Sequence, residues 1–79
     1  MDELLTRINV DTKVMVGQPV IDGTRITVAS ILNLLGQNYS VQDILEAYQG
    51  LKKEDIQACL LFASRFLNSV GQLIHPEKA

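Results

Sequence analysis

Apolar residues change their spacing once along the chain, from strand-like alternation to helical periodicity. Polar and apolar residues alternate over residues 7–10, which predicts a short strand. From Val28 to about Leu73 the spacing is helical, with interruptions at residues 36–40 and 49–52. The pattern therefore predicts an α+β fold in which an N-terminal β-hairpin or small sheet is followed by three helices.

The segment from Gly17 to Ile26 carries the strongest turn signal. Asp22-Gly23 stands between short β-branched runs and favours a type I′ turn, whose twist matches that of two flanking strands. Pro19 has no amide to donate to a sheet, so the hairpin is expected at a sheet edge. We expect the N-terminal strand of the same chain or of a partner chain to complete the sheet.

The first predicted helix, from about Val28 to Gly36, is apolar almost all round, so we expect it to be buried on several sides. Thr27 is its expected N-cap. Gly36 is its expected C-terminal stop, because glycine adopts the left-handed conformation without a steric penalty.

The second predicted helix begins at Ser40, a good N-cap, and has Asp43 in its first turn. Its apolar face carries Val41, Ile44, Leu45 and Tyr48.

The third predicted helix, from Lys53 to about Leu73, is the longest. Its expected core face follows helical spacing through Ile56, Cys59, Leu60, Ala63, Phe66, Leu67 and Val70. Leu61 and Phe62 fall outside this stripe. They either belong to an apolar partner-binding surface, which would also include Leu73, or are themselves buried under the hairpin.

Size and composition favour self-association. The chain has 79 residues, of which 47% are hydrophobic and 20% charged. A monomer of this size buries only about 60 to 65% of its unfolded surface, so a single core is marginal. With one cysteine, Cys59, and one histidine, His75, neither an intrachain disulfide nor a Cys/His metal cluster can reinforce it. We therefore predict a homodimer, with one domain over residues 1–73 and a flexible tail over residues 74–79.

The sequence lacks catalytic and targeting signals. His75 stands beside Pro76 in the predicted tail, without a partner to orient it as a general base. Cys59 falls on the predicted core face, where a thiol acts as a small apolar residue. The acidic start Met1-Asp2-Glu3 is unlike a signal peptide, and no apolar run approaches the roughly 18 residues of a membrane span. We expect a cytoplasmic protein with no enzymatic activity, cofactor, metal or membrane partner.

The second and third helices, joined by a short turn containing Gly50, match a helix-turn-helix in outline. The candidate DNA-binding residues are Lys52, Lys53 and Arg65 for phosphates and Gln57 for a base edge. The net charge of −2 and the carboxylates of Glu54 and Asp55 in the first turn oppose this interpretation. The alternative is a solvated helix start, where those carboxylates are stabilised by the helix dipole.

Four segments together resemble the DUF433 family, a domain of unknown function. They are Ile8–Asp11, Gly17–Ile26, Ser40–Leu45 and Leu51–Ala58. The most specific has the form Gly-x-Pro-x-Ile-x-Gly-Thr-Arg, with the signature residues Gly17, Pro19, Gly23, Thr24 and Arg25. From the residues alone, Thr24 and Arg25 either pin the turn or bind a phosphate or a partner carboxylate.

This resemblance implies a small winged or three-helix DNA-binding-like fold, a homodimer, and a role like that of VapB-type antitoxins, which pair with PIN-like ribonuclease toxins. The protein would then bind a toxin and its own operator DNA. Where the family often has threonine before the last helix, this chain has Lys52, which removes a cap and adds a cation near the presumed DNA. The short tail leaves little extended segment to wrap a toxin. The alternatives are a protein-interaction module that does not bind DNA, or a free-standing transcriptional regulator.

Overall fold

The structure is a computed structural model that describes residues 2–10 and 17–74, with the backbone alone at residues 2 and 71–74. In chain order its elements are α1 (Asp2–Leu5), β1 (Ile8–Asn9), β2 (Val20–Ile21), α2 (Val28–Gly36), α3 (Val41–Ala47) and α4 (Lys53–Ile74). The predicted α+β class is confirmed. The sequence pattern missed α1, because four residues are too few to show a helical period. The predicted tail, residues 74–79, starts one residue too early, because Ile74 is the last residue of α4. Residues 75–79 lie outside the described residues.

The small sheet is completed by the same chain. β1 and β2 pair antiparallel, with Ile8 opposite Ile21 and Asn9 opposite Val20. The amide of Asp22 donates to the carbonyl of Arg7 at 2.7 Å and extends this pairing by one bond. On the other side of β2, the segment that follows the turn adds an isolated β-bridge between Val20 and Thr27. β2 therefore lies between two paired segments, and both of its residues are buried.

The turn after β2 is not of type I′ as predicted. Gly23 has a φ of 81°, but Asp22 is not among the residues with positive φ. A positive φ at the second central position alone is the mark of a type II turn, closed here by the Thr24 amide donating to the Ile21 carbonyl at 2.9 Å. After the turn, the Thr24 hydroxyl hydrogen-bonds to the Ile21 carbonyl and the Ile26 amide, and the chain forms only one β-bridge with β2. A type I′ turn matches the twist of two paired strands, and a long second strand is missing here.

Local capping sets the bounds of α2, which are those predicted. The Thr27 hydroxyl accepts a hydrogen bond from the Ser30 amide at 3.0 Å, which confirms the N-cap. At the other end the helix stops at Gly36 as predicted, but Gly36 does not have the expected positive φ: the left-handed residue is Asn38, with a φ of 75°. Asparagine tolerates this conformation because its short side chain can hydrogen-bond locally.

The start of α3 is a complete capping box. The Ser40 hydroxyl accepts from the Asp43 amide at 3.0 Å, and the Asp43 carboxylate accepts from the Ser40 amide at 2.9 Å. These bonds hold the pKa of Asp43 below its ordinary value of 3.8, the backbone bond from Ser40 contributing most. Ile44 is fully buried, and Val41, Leu45 and Tyr48 pack half-buried against the core as predicted.

The core brings residues from β2 and from α2, α3 and α4 together. Its fully buried cluster consists of Ile21, Val28, Ile31, Ile44, Ile56 and Cys59. α2 is less buried than predicted. Ala29 is exposed, and Leu32, Leu34 and Leu35 are only half-buried.

Burial along α4 differs from the predicted core face. Ile56 and Cys59 are buried as expected, but Leu60, Phe66 and Leu67 are 48, 60 and 65% exposed. A 22-residue helix is about 33 Å long, and the packed body covers only its first part. Among the residues of α4 whose side chains are described, all the buried ones precede Leu60, and every residue from Ser64 to Ser69 is exposed. Within the described residues no helix meets the length and hydropathy needed to cross a membrane.

Candidate functional site

A buried carboxylate stands at the start of α4. Asp55 is 7% exposed and accepts a hydrogen bond from the Arg7 guanidinium at 3.0 Å through Oδ1. Its Oδ2 accepts from the amide of Lys52 at 2.9 Å. Asp55 is therefore not part of a solvated helix start, whereas Glu54 is exposed. Arg7 and Asp55 are 48 residues apart, so no local sequence signal indicates the pair.

α3 and α4 both have aspartate as their third residue, but their N-terminal caps differ. At α3 both hydrogen bonds of the capping box are present. At α4 the Asp55 carboxylate accepts from the Lys52 amide, but the reciprocal bond is missing because the lysine side chain cannot accept a hydrogen bond from an amide. The Lys52 carbonyl instead accepts from the Asp55 amide at 2.9 Å. The side chain of Lys52 takes no part in this cap and is exposed to solvent.

The four candidate DNA-binding residues are all exposed, but they do not form one cluster. Lys52 and Lys53 are adjacent at the tip of α4, and Gln57 lies one turn further on. Arg65 lies eight residues beyond Gln57, which is about 12 Å along the helix and about 80° around it. The helix tip thus combines two lysines and a glutamine, and Arg65 belongs to a different part of the surface.

The signature residues stabilise the entry into α2. The Thr24 hydroxyl donates to the Ile21 carbonyl at 2.7 Å and accepts from the Ile26 amide at 3.0 Å, so Thr24 pins the turn. The Pro19 carbonyl accepts from the Val28 amide at 2.9 Å. Gly17 and Gly23 both have positive φ. Arg25 is exposed, and its role as a ligand for a phosphate or carboxylate stays a prediction.

The predicted partner-binding residues occupy less exposed places than the pattern indicated. Phe62 packs half-buried against the core, and Leu61 is half-buried. The side chain of Leu73 lies outside the described part of the chain. In the part of α4 whose side chains are described, the strongly exposed apolar residues are instead Leu60, Phe66 and Leu67.

A shallow groove of about 470 Å³ runs between α1 and α4 and is open to solvent. Its lining consists of Leu4 from α1 and Gln57, Leu60, Leu61 and Ser64 from α4. The four α4 residues follow i, i+3, i+4, i+7 spacing and so share one helix face. Leu67, one turn after Ser64, extends this face. We call this surface the α1–α4 groove, and sequence reasoning missed it because it did not predict α1.

Cys59 is a core residue, as predicted. Its thiol is free and buried. Burial, with a smaller effect of the Asp55 charge, raises its pKa to about 11, so the thiol is neutral at physiological pH. Among the described residues, no group of three or more His, Cys, Asp or Glu side chains could hold a metal ion.

Two comparisons place this chain among known proteins. The sequence pattern of the family described as "Protein of unknown function (DUF433)" matches residues 8–63. A crystal structure of a DUF433 member protein from Anabaena variabilis ATCC 29413 superposes with a TM-score of 0.76 at 25% sequence identity. That alignment covers 95% of this chain and 74% of the other. No curated protein sequence matches the chain.

Proposed function

This chain belongs to the DUF433 family, whose function is unknown. From its family resemblance together with an apolar surface groove, we propose that it is the antitoxin of a type II toxin–antitoxin system. It binds a PIN-like ribonuclease through the α1–α4 groove. The observation that carries the proposal is this apolar groove, which Leu60 lines and Leu67 extends, with the two side chains 48 and 65% exposed. The choice of a ribonuclease as partner comes from the resemblance to VapB-type antitoxins.

The groove has the features of a site for an apolar peptide segment. Leu4, Leu60 and Leu61 supply an apolar floor, while Gln57 and Ser64 supply hydrogen-bonding groups. An amphipathic helix or strand from a partner typically docks in such a groove through a few apolar anchors. Covering the exposed part of Leu60 and of Leu67 would contribute about 1 kcal/mol each.

The proposal predicts a PIN-like ribonuclease reading frame beside this gene, and the test is whether the protein binds and inhibits that ribonuclease. We expect the wild-type protein to form a stable complex and suppress RNA cleavage. Leu60→Glu places a charge in the groove and should weaken the complex at least about 100-fold, because a buried unpaired carboxylate is strongly unfavourable. Titration calorimetry and a ribonuclease assay measure the two effects.

Tyr39→Glu is the matched control, because Tyr39 is 47% exposed but lies between α2 and α3. It should bind the ribonuclease as the wild type does. Equal binding by wild type and Leu60→Glu would contradict the groove as the binding site. Absence of a PIN-like reading frame beside the gene would favour a free-standing regulator or an adaptor protein.

A second candidate function is binding of operator DNA by the tip of α4, with α3 and α4 as the helix-turn-helix. The observation that favours it is the Arg7–Asp55 ion pair, which neutralises one of the two carboxylates expected to repel phosphate. Glu54 is the remaining acidic residue of the first turn, beside the exposed Lys52 and Lys53. Phosphate contacts by these lysines would position Gln57 near a base edge.

This second function predicts salt-dependent binding to the upstream DNA of the gene. Lys52→Glu/Lys53→Glu should abolish the mobility shift, and the wild-type affinity should fall linearly with salt on a logarithmic plot. Glu54→Lys is the control of opposite sign and should bind more tightly. Failure of the wild type to bind at low salt, or equal binding by all three proteins, would exclude this role for the helix tip.

A further inference from the structure

Gln57 belongs to two surfaces of the molecule at once. It lines the α1–α4 groove, and it is also one of the exposed polar residues at the tip of α4, one turn after Lys53. Lys53 and Leu60 are seven residues apart, so they lie within about 20° of each other around the helix. The groove and the tip therefore share one face of α4 and are continuous at Gln57.

The two surfaces are also close along the helix axis. The α4 residues that line the groove, from Gln57 to Ser64, span about 10 Å, and Lys53 lies about 6 Å before Gln57. Leu60, which is 48% exposed in the groove, is about 10 Å from Lys53 along the axis. A segment docked in the groove would therefore cover the side chain of Gln57 and reach the edge of the tip.

We propose that the groove and the tip of α4 are used alternately: a ribonuclease helix in the groove excludes operator DNA from the tip, and the DNA excludes the ribonuclease. This inference rests on the two functions proposed above and adds the coupling between them. An excess of the ribonuclease therefore releases the operator.

The width of the DNA major groove is the physical reason for this exclusion. The major groove is about 12 Å wide and admits one α-helix, which is about 10 to 12 Å across with its side chains. A helix packed on α4 would have its axis about 8 to 10 Å away, so the pair would measure about 20 Å across at Gln57. With its groove occupied, α4 is therefore too thick to bring Gln57 to a base edge.

Mutual exclusion also determines the size of the coupling. With the ribonuclease at about 100 times its own Kd, the apparent affinity for DNA should fall about 100-fold. Linkage is reciprocal, so DNA at the same multiple of its Kd should weaken ribonuclease binding by the same factor of about 100.

The test is a competition between the upstream DNA, as a fluorescent duplex, and the neighbouring PIN-like ribonuclease for the full chain. Fluorescence anisotropy measures the DNA affinity without ribonuclease and with ribonuclease at about 100 times its Kd, where nearly every groove is filled. Ribonuclease alone with the duplex is the blank. We expect the wild-type DNA affinity to fall about 100-fold, and titration calorimetry with and without DNA measures the reverse effect.

Two variants separate the two surfaces. Leu60→Gln places an uncharged amide in the groove, so it should keep its DNA affinity but need more ribonuclease to release the DNA. Lys52→Glu/Lys53→Glu should not bind DNA, so its affinity for the ribonuclease should not respond to added DNA.

A ternary complex that keeps the wild-type DNA affinity, seen as a further shift on a native gel, would overturn the inference. Tighter DNA binding in the presence of the ribonuclease would overturn it as well. If the protein binds the ribonuclease but not DNA, the inference fails while the antitoxin role stands. If it binds DNA but not the ribonuclease, the antitoxin role fails together with the inference.

Discussion

Replacing Arg7 with methionine is expected to lower the free energy of unfolding by about 3 kcal/mol. The variant keeps an apolar stem for packing but leaves the Asp55 carboxylate, which is 7% exposed, without its charge partner. Removing one member of a fully buried ion pair typically costs about 3 to 5 kcal/mol, but this pair is only part-buried, since the Arg7 side chain is 36% exposed. We place the effect at the lower end because Asp55 keeps the bond from the Lys52 amide. Urea unfolding followed by circular dichroism measures the change.

The double variant Arg7→Met/Asp55→Asn gives the sharper comparison. An uncharged amide at position 55 can still accept from the Lys52 amide but needs no cation, so the double variant should be more stable than Arg7→Met alone. Lys53→Met, at an exposed neighbouring position, should change stability by less than about 0.5 kcal/mol. An Arg7→Met protein as stable as the wild type would mean that the pair adds nothing to folding.

Such a loss would be large for a chain of this size, since 79 residues correspond to roughly 4 to 12 kcal/mol of total stability. The pair joins the segment before β1 to the start of α4, and so fixes α1 and α4 relative to each other. Because Leu4 of α1 lines the groove, we expect weakening of the pair to loosen the proposed binding surface as well.

Helix bounds were predictable because the bonds that set them are local. The hydroxyls of Thr27 and Ser40 each accept from an amide three residues on, a distance that sequence reading covers. The turn at Asp22-Gly23 was located correctly, but its type depended on how the chain continued afterwards. In that continuation the hydroxyl of Thr24 hydrogen-bonds to the Ile21 carbonyl and the Ile26 amide.

The candidate site was less predictable because it depends on long-range packing. Helical periodicity gives the direction of a side chain but not where the neighbouring elements end. Phe66 faces the same way as Cys59, yet it has no body of the domain beneath it. Likewise, Asp55 looks like an ordinary first-turn carboxylate until Arg7, 48 residues away, is placed beside it. The exposure of Lys52, Lys53 and Gln57 was predicted correctly, because the helical spacing of nearby apolar residues already shows that these three residues lie off the core face.

Ile44→Ala is expected to destabilise the protein by about 2 to 5 kcal/mol and to release α3 from the core. α3 has seven residues, too few for a stable helix in water without packing. Ile44 is its fully buried residue, at 0% exposure, so truncation opens a cavity at the point where α3 is held. Denaturant unfolding measures the free energy, and amide hydrogen exchange over residues 41–47 shows whether the loss is concentrated in α3.

Two variants separate docking of α3 from general loss of apolar volume. Leu45→Ala removes a side chain that is only half-buried and should cost less than Ile44→Ala, while Ile44→Val should cost about 0.5 to 1.5 kcal/mol. If Leu45→Ala were the more harmful change, the half-buried Leu45, and not Ile44, would be the main contact that holds α3 on the core.

Because α3 packs against both α2 and α4, its release would also remove the support that a helix-turn-helix needs. We therefore expect Ile44→Ala to weaken any operator binding even though it leaves Lys52 and Lys53 unchanged.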